Sequence, residues 1–259
     1  MNKLALITGA SSGIGKELAK LHAKKSGDLV VVARSTQKLE ELKIELEEKY
    51  KIKVYIICKD LTSSSAPTEI YNEVKHLGLE VDYLINNAGF GGRGKFHERK
   101  LEDDLNMIQV NIISLTALTR LFLSDFVKRN SGKILNVSST AALMPGPLQA
   151  VYYATKSYVT FFSDAISEEL KDTNITITSL MPGATETEFA KVSGMDKTPL
   201  FNNTFSAKDV AKDGYNGMID GKLNVITGVT LSQKMMFKML PITPKKMLLK
   251  QIHDMQLEK

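Results

Sequence analysis

The chain has 259 residues, 43% hydrophobic and 24% charged, which suits one large packed core and argues against disorder. Its single cysteine, Cys58, excludes a disulfide framework and a thiolate metal site and fits a reducing compartment; the histidines, His22, His76, His97 and His253, are scattered without ligand spacing, so no metal is expected. The net charge of +5 is concentrated in residues 231–259, where six lysines face Asp254 and Glu258, a balance of +4; the rest is close to neutral, so a nucleic-acid surface is not indicated and a basic tail is.

Short β-rich runs alternate with longer amphipathic stretches. The N-terminal run is too short for a signal peptide or a membrane span, which makes a cytoplasmic protein the expectation. "LALIT", Leu4–Thr8, predicts a strand, and 13–26 a helix. Residues 29–33 predict a strand and Thr36–Tyr50 a helix; Val54–Cys58 a strand and 66–77 a helix. Then come a strand at 82–86, a long helix over 101–128, a strand at 133–138 and a helix over 152–171. A strand at 175–180, a helix over 207–220 and a strand at 224–228 complete the series. The early strands are apolar on both faces, which predicts a parallel sheet covered by helices on both sides. The alternation predicts one α/β domain, 1–259, with a doubly wound, Rossmann-type sheet of about seven strands and ligands at the strands' carboxyl ends. In the tail, Pro241 and Pro244 separate two short amphipathic helical pieces that hold five of the eleven methionines.

Straight after the first strand comes "TGASSGIG", with Gly9, Gly13 and Gly15 at a strand-to-helix turn. A pyrophosphate rests on a helix N-terminus only where the backbone comes close without Cβ atoms in the way; Ser11 and Ser12 add hydroxyl donors. In "YYATK", Lys156 lies three residues from Tyr153 and four from Tyr152, so helix geometry lets either phenol meet the ammonium. Free tyrosine has a pKa of about 10, which a nearby ammonium lowers. A phenol so placed can pass a proton to a carbonyl oxygen while a hydroxyl stabilises the developing charge. "NVSS" offers Ser138 and Ser139 for that hydroxyl.

With TGxxxGxG, "NNAG" (86–89) and YxxxK in this order at strand ends, the chain resembles the short-chain dehydrogenase/reductase family from Leu4 to about Gly228. The resemblance implies an oxidoreductase that moves a hydride between a nicotinamide and a carbonyl or alcohol. It assigns the phosphate loop to Gly9, Ser11, Ser12, Gly13, Ile14 and Gly15. It gives the adenine contact to Asp60 and Leu61, and the adenosine ribose to Asn87, Ala88 and Gly89. Asn86 is left to tie strands together. Pro182, Gly183, Thr185 and Thr187 of "MPGATET" would border the nicotinamide, with Thr185 standing where the family usually has an aliphatic residue. NAD-preferring members carry an acid at the position of Ala33. Here Arg34 and Ser35 follow an alanine, and a guanidinium grips a phosphate bidentately, so NADP is expected. The family's serine-to-tyrosine spacing of 13 selects Ser139 and Tyr152, leaving Tyr153 to pack beside them. Tyr152 is then the acid/base, Ser139 the carbonyl polariser, and Lys156 the group that lowers the tyrosine pKa and binds the nicotinamide ribose. Asn111 would bend the long helix and hold a water that links the lysine to solvent. A non-catalytic NADP-binding sensor and a same-fold epimerase or dehalogenase are the alternatives; the retained Ser139, Tyr152, Lys156 and Asn111 argue against the sensor.

Residues 189–205 stand where the family has its substrate lid. Phe189, Val192, Met195, Leu200, Phe201 and Phe205 there suggest a partly apolar small-molecule substrate. Gly91, Gly92 and Gly94 leave the cleft's other side flexible, with Arg93 turned to an anionic substrate or to solvent. The tail departs from the family's common acidic, glycine-rich ending. Packing on its own domain or on a partner subunit is preferred over covering the cleft or lying on an anionic membrane. A homodimer or homotetramer is expected.

Overall fold

The computed structural model describes residues 2–257; Met1 and the last two residues of the expected domain and tail, Glu258 and Lys259, lie outside them. The strands are β1 (Leu4–Thr8), β2 (Asp28–Ala33), β3 (Val54–Cys58), β4 (Tyr83–Asn86), β5 (Gly132–Val137), β6 (Ile175–Pro182), the short pair β7 (Thr185–Glu186) and β8 (Phe205–Ser206), and β9 (Asn224–Thr227). The helices are α1 (Gly13–Lys24), α2 (Thr36–Tyr50), α3 (Ala66–His76), α4 (Leu101–Ile108), α5 (Leu115–Arg129), α6 (Ala150–Glu169), α7 (Phe189–Ser193), α8 (Ala207–Ile219), α9 (Leu231–Met239) and α10 (Lys245–Met255).

Seven strands form one parallel sheet in the order β3-β2-β1-β4-β5-β6-β9. Successive residues of a strand point to opposite faces, and each face has its own core. Ala5, Ile7, Leu29 and Val31 pack against Leu18, Leu39, Leu42 and Tyr215. Leu4, Leu6, Val30 and Val32 pack on the other side against Ile70, Leu118, Phe122 and Phe126. Two buried faces are why these strands show no polar alternation. Asn86 Nδ2 donates to Asn136 Oδ1 at 2.9 Å and to Thr119 Oγ1 at 3.0 Å, and Asn136 Nδ2 donates to Ser163 Oγ at 2.9 Å. This buried polar chain ties β4 to β5 and α6.

The sequence order reverses between β1 and β4, which opens a crevice at the carboxyl ends of the strands. The long helix expected over 101–128 is interrupted: Gln109–Ser114 forms a π-helical segment between α4 and α5. The run Leu101–Arg129 is long and apolar enough to cross a bilayer, yet half of its most apolar window is buried on the sheet. Helix α6 starts two residues before Tyr152, because Gln149 O already accepts from Tyr153 N at 3.0 Å. The tail divides as the prolines predict. Leu248 and Ile252 of α10 are buried in a small core with Met107, Ala141, Tyr152 and Tyr153, whereas α9 has no buried residue.

Candidate active site

A cleft of about 790 Å³ runs across the carboxyl ends of the strands. Its nucleotide end is built by the β1–α1 turn. Gly9 has φ +66°, and a Cβ there would meet Asn87 Nδ2 at 2.8 Å. A Cβ on Gly15 would stand 2.3 Å from Gly9 O, so neither position admits a side chain. Asn87 Nδ2 donates to Thr8 O at 2.9 Å and Gly9 O at 3.1 Å; Asn87 N and Ala88 N both donate to Thr8 Oγ1 at 3.0 Å. The asparagine side chain thus braces the glycine loop. Ser12 begins α1 without capping it; its hydroxyl instead helps to hold the Glu188 carboxyl below its ordinary pKa.

Beyond β2, Arg34 and Ser35 line the cleft beside Lys38 and Lys59. Ser35 Oγ caps α2 by accepting from Lys38 N at 3.3 Å. Lys38 Nζ lies 3.1 Å from Glu188 Oε1 across the cleft, and together with Ser12 it holds that carboxyl below its ordinary value. Asp60 accepts from Thr62 N at 3.0 Å, and Leu61 O accepts from Ser114 Oγ at 2.8 Å. Both therefore also shape the turn after β3.

At the other end Ser139, Tyr152 and Lys156 converge. The Ser139 hydroxyl stands close enough to the Tyr152 phenol to pull its pKa down slightly, and Lys156 Nζ lies 5.9 Å from the Tyr152 ring centroid. Ser139 Oγ accepts from Ala141 N at 3.1 Å and donates to Pro182 O at 3.4 Å. Ser138 Oγ turns inward, donating to Lys156 O at 2.9 Å, 2.7 Å from Thr160 Oγ1; it holds α6 on β5. Burial pushes the Tyr152 phenol up to about 12, against a smaller lowering by Ser139, and burial pushes Lys156 down to about 8. The lowered tyrosine pKa expected from the sequence is not what this arrangement gives. The lysine donates to Val137 O at 2.8 Å, and burial acts on both groups by disfavouring their charged forms.

Asn111 sits in the π segment. Its Nδ2 donates to Phe90 O and to Thr155 Oγ1, each at 3.0 Å, and its Oδ1 accepts from Phe90 N at 3.2 Å. A Cβ on Gly89 would lie 3.0 Å from Asn111 Oδ1 and 3.3 Å from Lys156 Nζ, so Asn111 and Lys156 both back onto the "NNAG" turn. Thr185 Oγ1 donates to Gly183 O at 2.9 Å, and Thr187 Oγ1 accepts from Phe189 N at 3.2 Å, which fastens the start of α7. Of the residues that the resemblance assigns to cofactor and catalysis, all but Gly15 and Asn111 line the cleft; of those expected around the substrate, Gly91, Gly92, Arg93, Gly94 and Phe205 do not. Gly15 and Asn111 stand behind it, as a close backbone contact and a buried brace.

The substrate end is apolar. The Phe189 ring lies 5.3 Å from that of Tyr152 and 6.3 Å from that of Phe201, centroid to centroid. A Cβ on Gly91 would meet Phe189 Cζ at 2.8 Å, so this glycine makes room for the lid. Arg93, expected to face substrate or solvent, is instead a tie: its N donates to Ser193 O at 3.1 Å in the lid and its Nε to Gln256 O at 2.8 Å in the tail. Gln256 is fully buried. Its Nε2 donates to Tyr153 OH at 3.3 Å, and its Oε1 accepts from Gln149 Nε2 at 3.0 Å. Tyr153 lines the cleft, so it does more than pack beside Tyr152. Gln149 Oε1, at the cleft wall, is buried without a hydrogen-bond partner. Sequence reading missed Lys38, Gln149, Glu188 and Gln256. A lysine in the first turn after "ARS" was a usable signal for Lys38; the other three depend on contacts across 103 or more residues or on a cap geometry without a motif.

Residues 3–198 match the short chain dehydrogenase family. The very-long-chain 3-oxoacyl-CoA reductase of Macaca fascicularis is 32% identical over 239 residues, 90% of this chain and 75% of that protein. In the Bos taurus reductase the aligned stretch spans only 62% of the protein. The NADP-dependent 3-hydroxy acid dehydrogenase of Schizosaccharomyces pombe is 37% identical over 195 residues, 73% of this chain and 74% of that protein. Among solved structures, a short-chain dehydrogenase from Sphingobium yanoikuyae in complex with NADPH superimposes with a TM-score of 0.82 at 28% identity over 90% of each chain. Matched from β1 into the lid, with its glycine loop and YxxxK helix folded onto one cleft, the chain belongs to the short-chain dehydrogenase/reductase family of oxidoreductases.

Proposed function

We propose that the protein reduces the keto group of a partly apolar, 3-oxoacyl-type substrate, with Tyr152 as proton donor. The cofactor is NADP(H). The cleft fits it by its donor set: a glycine cradle without Cβ atoms at one end, and Arg34, Ser35, Lys38 and Lys59 beyond β2, where Ala33 puts no carboxylate against a 2′-phosphate. When bound, this cofactor supplies the hydride. The chain's own groups handle the proton and the charge. Ser139 and Tyr152 hold the substrate oxygen, Tyr152 passes it a proton, and Lys156 supplies positive charge behind the phenol and a donor for the ribose. Phe189 and Phe201 exclude water from that oxygen.

The observation that carries this reading is the convergence of Ser139, Tyr152 and Lys156 at the apolar end of a cleft whose far end is a phosphate cradle. The relatives named for 3-oxoacyl-CoA and 3-hydroxy acids support the substrate class, since those are the two redox states of one functional group. A phenol held at about 12 is protonated at neutral pH, the form that can donate a proton in reduction. The exposed Cys58 thiol suits a cytoplasmic setting. Exposed Leu105, Ile113, Tyr158 and Phe161 on α4, the π segment and α6 suit a homodimer formed through these elements. The test is a panel of 3-oxoacyl thioesters of rising chain length, simple ketones and 3-hydroxy acids, followed by NADPH absorbance with NADH in parallel. Turnover confined to ketones without a 3-oxoacyl group would overturn the substrate class.

A further inference from the structure

Helix α9 carries an apolar stripe that nothing among the described residues covers. Leu231, Met235 and Met239 stand four residues apart and share one face; they are 79%, 56% and 50% exposed. The apolar surface continues through Ile242, 71% exposed, to Met247 at 54%. Isolated helices of nine residues are marginal in water and usually owe their stability to packing, yet α9 buries no residue. It is secured by a capping box instead: Thr230 Oγ1 accepts from Gln233 N at 3.2 Å, and Thr230 N donates to Gln233 Oε1 at 2.8 Å. After the turn at Pro241–Pro244, α10 does dock, through Leu248, Ile252 and Gln256. The tail is therefore anchored at its far end and displays its first helix.

Charge decides what covers the stripe. Lys234, Lys238, Lys245, Lys246 and Lys250 flank it, and Asp254 is the one acid among residues 231–257. Five cations against one anion give this surface +4 of the chain's total of +5. A second copy would bring the same positive face to the contact, and like charges repel. An anionic bilayer offers hydrocarbon to the methionines and negative headgroups to the lysines, the combination that interfacial amphipathic helices use. We propose that α9, with the lysines opening α10, docks on an anionic membrane surface and makes the protein a peripheral membrane protein. The apolar stripe enters the headgroup boundary, and the lysines stay at the phosphates.

The test uses the full chain with vesicles of phosphatidylcholine alone or mixed with phosphatidylserine. The protein is expected to co-sediment with the anionic vesicles at least about tenfold more tightly than with neutral ones, and to be released at about 0.5 M salt, where charges are screened within a few ångströms. Met235→Ser with Met239→Ser, and separately Lys234→Gln with Lys238→Gln, should each weaken binding severalfold. NADPH fluorescence titration should stay unchanged in both, which separates loss of docking from loss of the fold or of the oxidoreductase reading. Absence of binding to anionic vesicles would overturn the proposal. So would equal binding to neutral ones, or an oligomer that both pairs of substitutions dissociate.

Discussion

Water exclusion sets the proton chemistry of two side chains. Tyr152 is held at about 12 and Lys156 at about 8 by burial. Reduction needs the phenol and benefits from the ammonium, so its rate should be flat below about pH 8 and fall above it as Lys156 loses its proton. Oxidation needs the phenolate and should rise with pH across the same range; initial rates in both directions check this. Tyr152→Phe should lower turnover by about two orders of magnitude or more while NADPH affinity, read by fluorescence, changes less than about threefold. Lys156 also shapes stability. In the unfolded chain its value is the ordinary 10.5, and in the native state it is about 8. Between those values the unfolded chain binds a proton that the native chain has released, so stability rises with pH. Above pH 10 the raised value of Tyr152 acts in the opposite sense, because the unfolded phenol ionises first. Lys156→Met should therefore erase a rise of roughly 2–3 kcal/mol between about pH 8 and 10, measurable in urea melts across that window.

At the scale of elements, the π segment Gln109–Ser114 is where the long helix departs from its period, and Asn111 explains it. One asparagine satisfies Phe90 N and O and Thr155 Oγ1, which holds the turn after β4 against α6. Asn111→Leu leaves Phe90 N and O without this partner, each costing roughly 1–3 kcal/mol when buried, while Thr155 Oγ1 keeps its bond to Tyr152 O at 2.7 Å. A lowered melting temperature is expected, read by calorimetry, together with weakened activity at temperatures where the variant stays folded. Strands and sheet helices were legible in the sequence because unbroken runs such as "LVVVA" are needed to cover two faces, and the glycine loop was legible because a backbone without Cβ atoms leaves a residue signature. The bend at Asn111 came only from family resemblance; helical periodicity runs through it unbroken. Lys38 carried a local signal, its place just after "ARS", but the contact of its ammonium with Glu188 Oε1, 150 residues away, has no local pattern. Helix α2 opens at the Ser35 cap, so Lys38 lies in the first turn beside Arg34. Lys38→Met should weaken NADPH binding about fivefold and leave NADH binding unchanged in parallel fluorescence titrations, since it removes one charge from the 2′-phosphate end.

For the whole molecule, a parallel sheet whose strand order reverses between β1 and β4 collects residues from positions 9 to 201 along one crevice. The pattern of strands predicted that crevice. Of the wall beside Tyr152, the apolar residues Phe189, Val192, Met195, Leu200 and Phe201 were legible in the sequence; Gln149 and Gln256 were not, because Gln256 reaches Gln149 and Tyr153 only once the tail has folded back across the core. The outer face of α6 bears Tyr158 and Phe161, and Ile113 of the π segment is exposed as well. If this face is a subunit contact, Phe161→Glu should shift the protein to a smaller species in light scattering, with NADPH affinity retained. One further property belongs to the chain as a whole. Its sole thiol, Cys58, is exposed at the end of β3, its Sγ 3.3 Å from Arg34 O and 3.1 Å from Thr36 Oγ1. A maleimide dye would attach at that one place, beside the backbone of Arg34, the residue proposed to meet the 2′-phosphate. The wild-type chain thus brings its own labelling position for watching nucleotide occupancy in real time, and purification under oxidising conditions would strike the same spot.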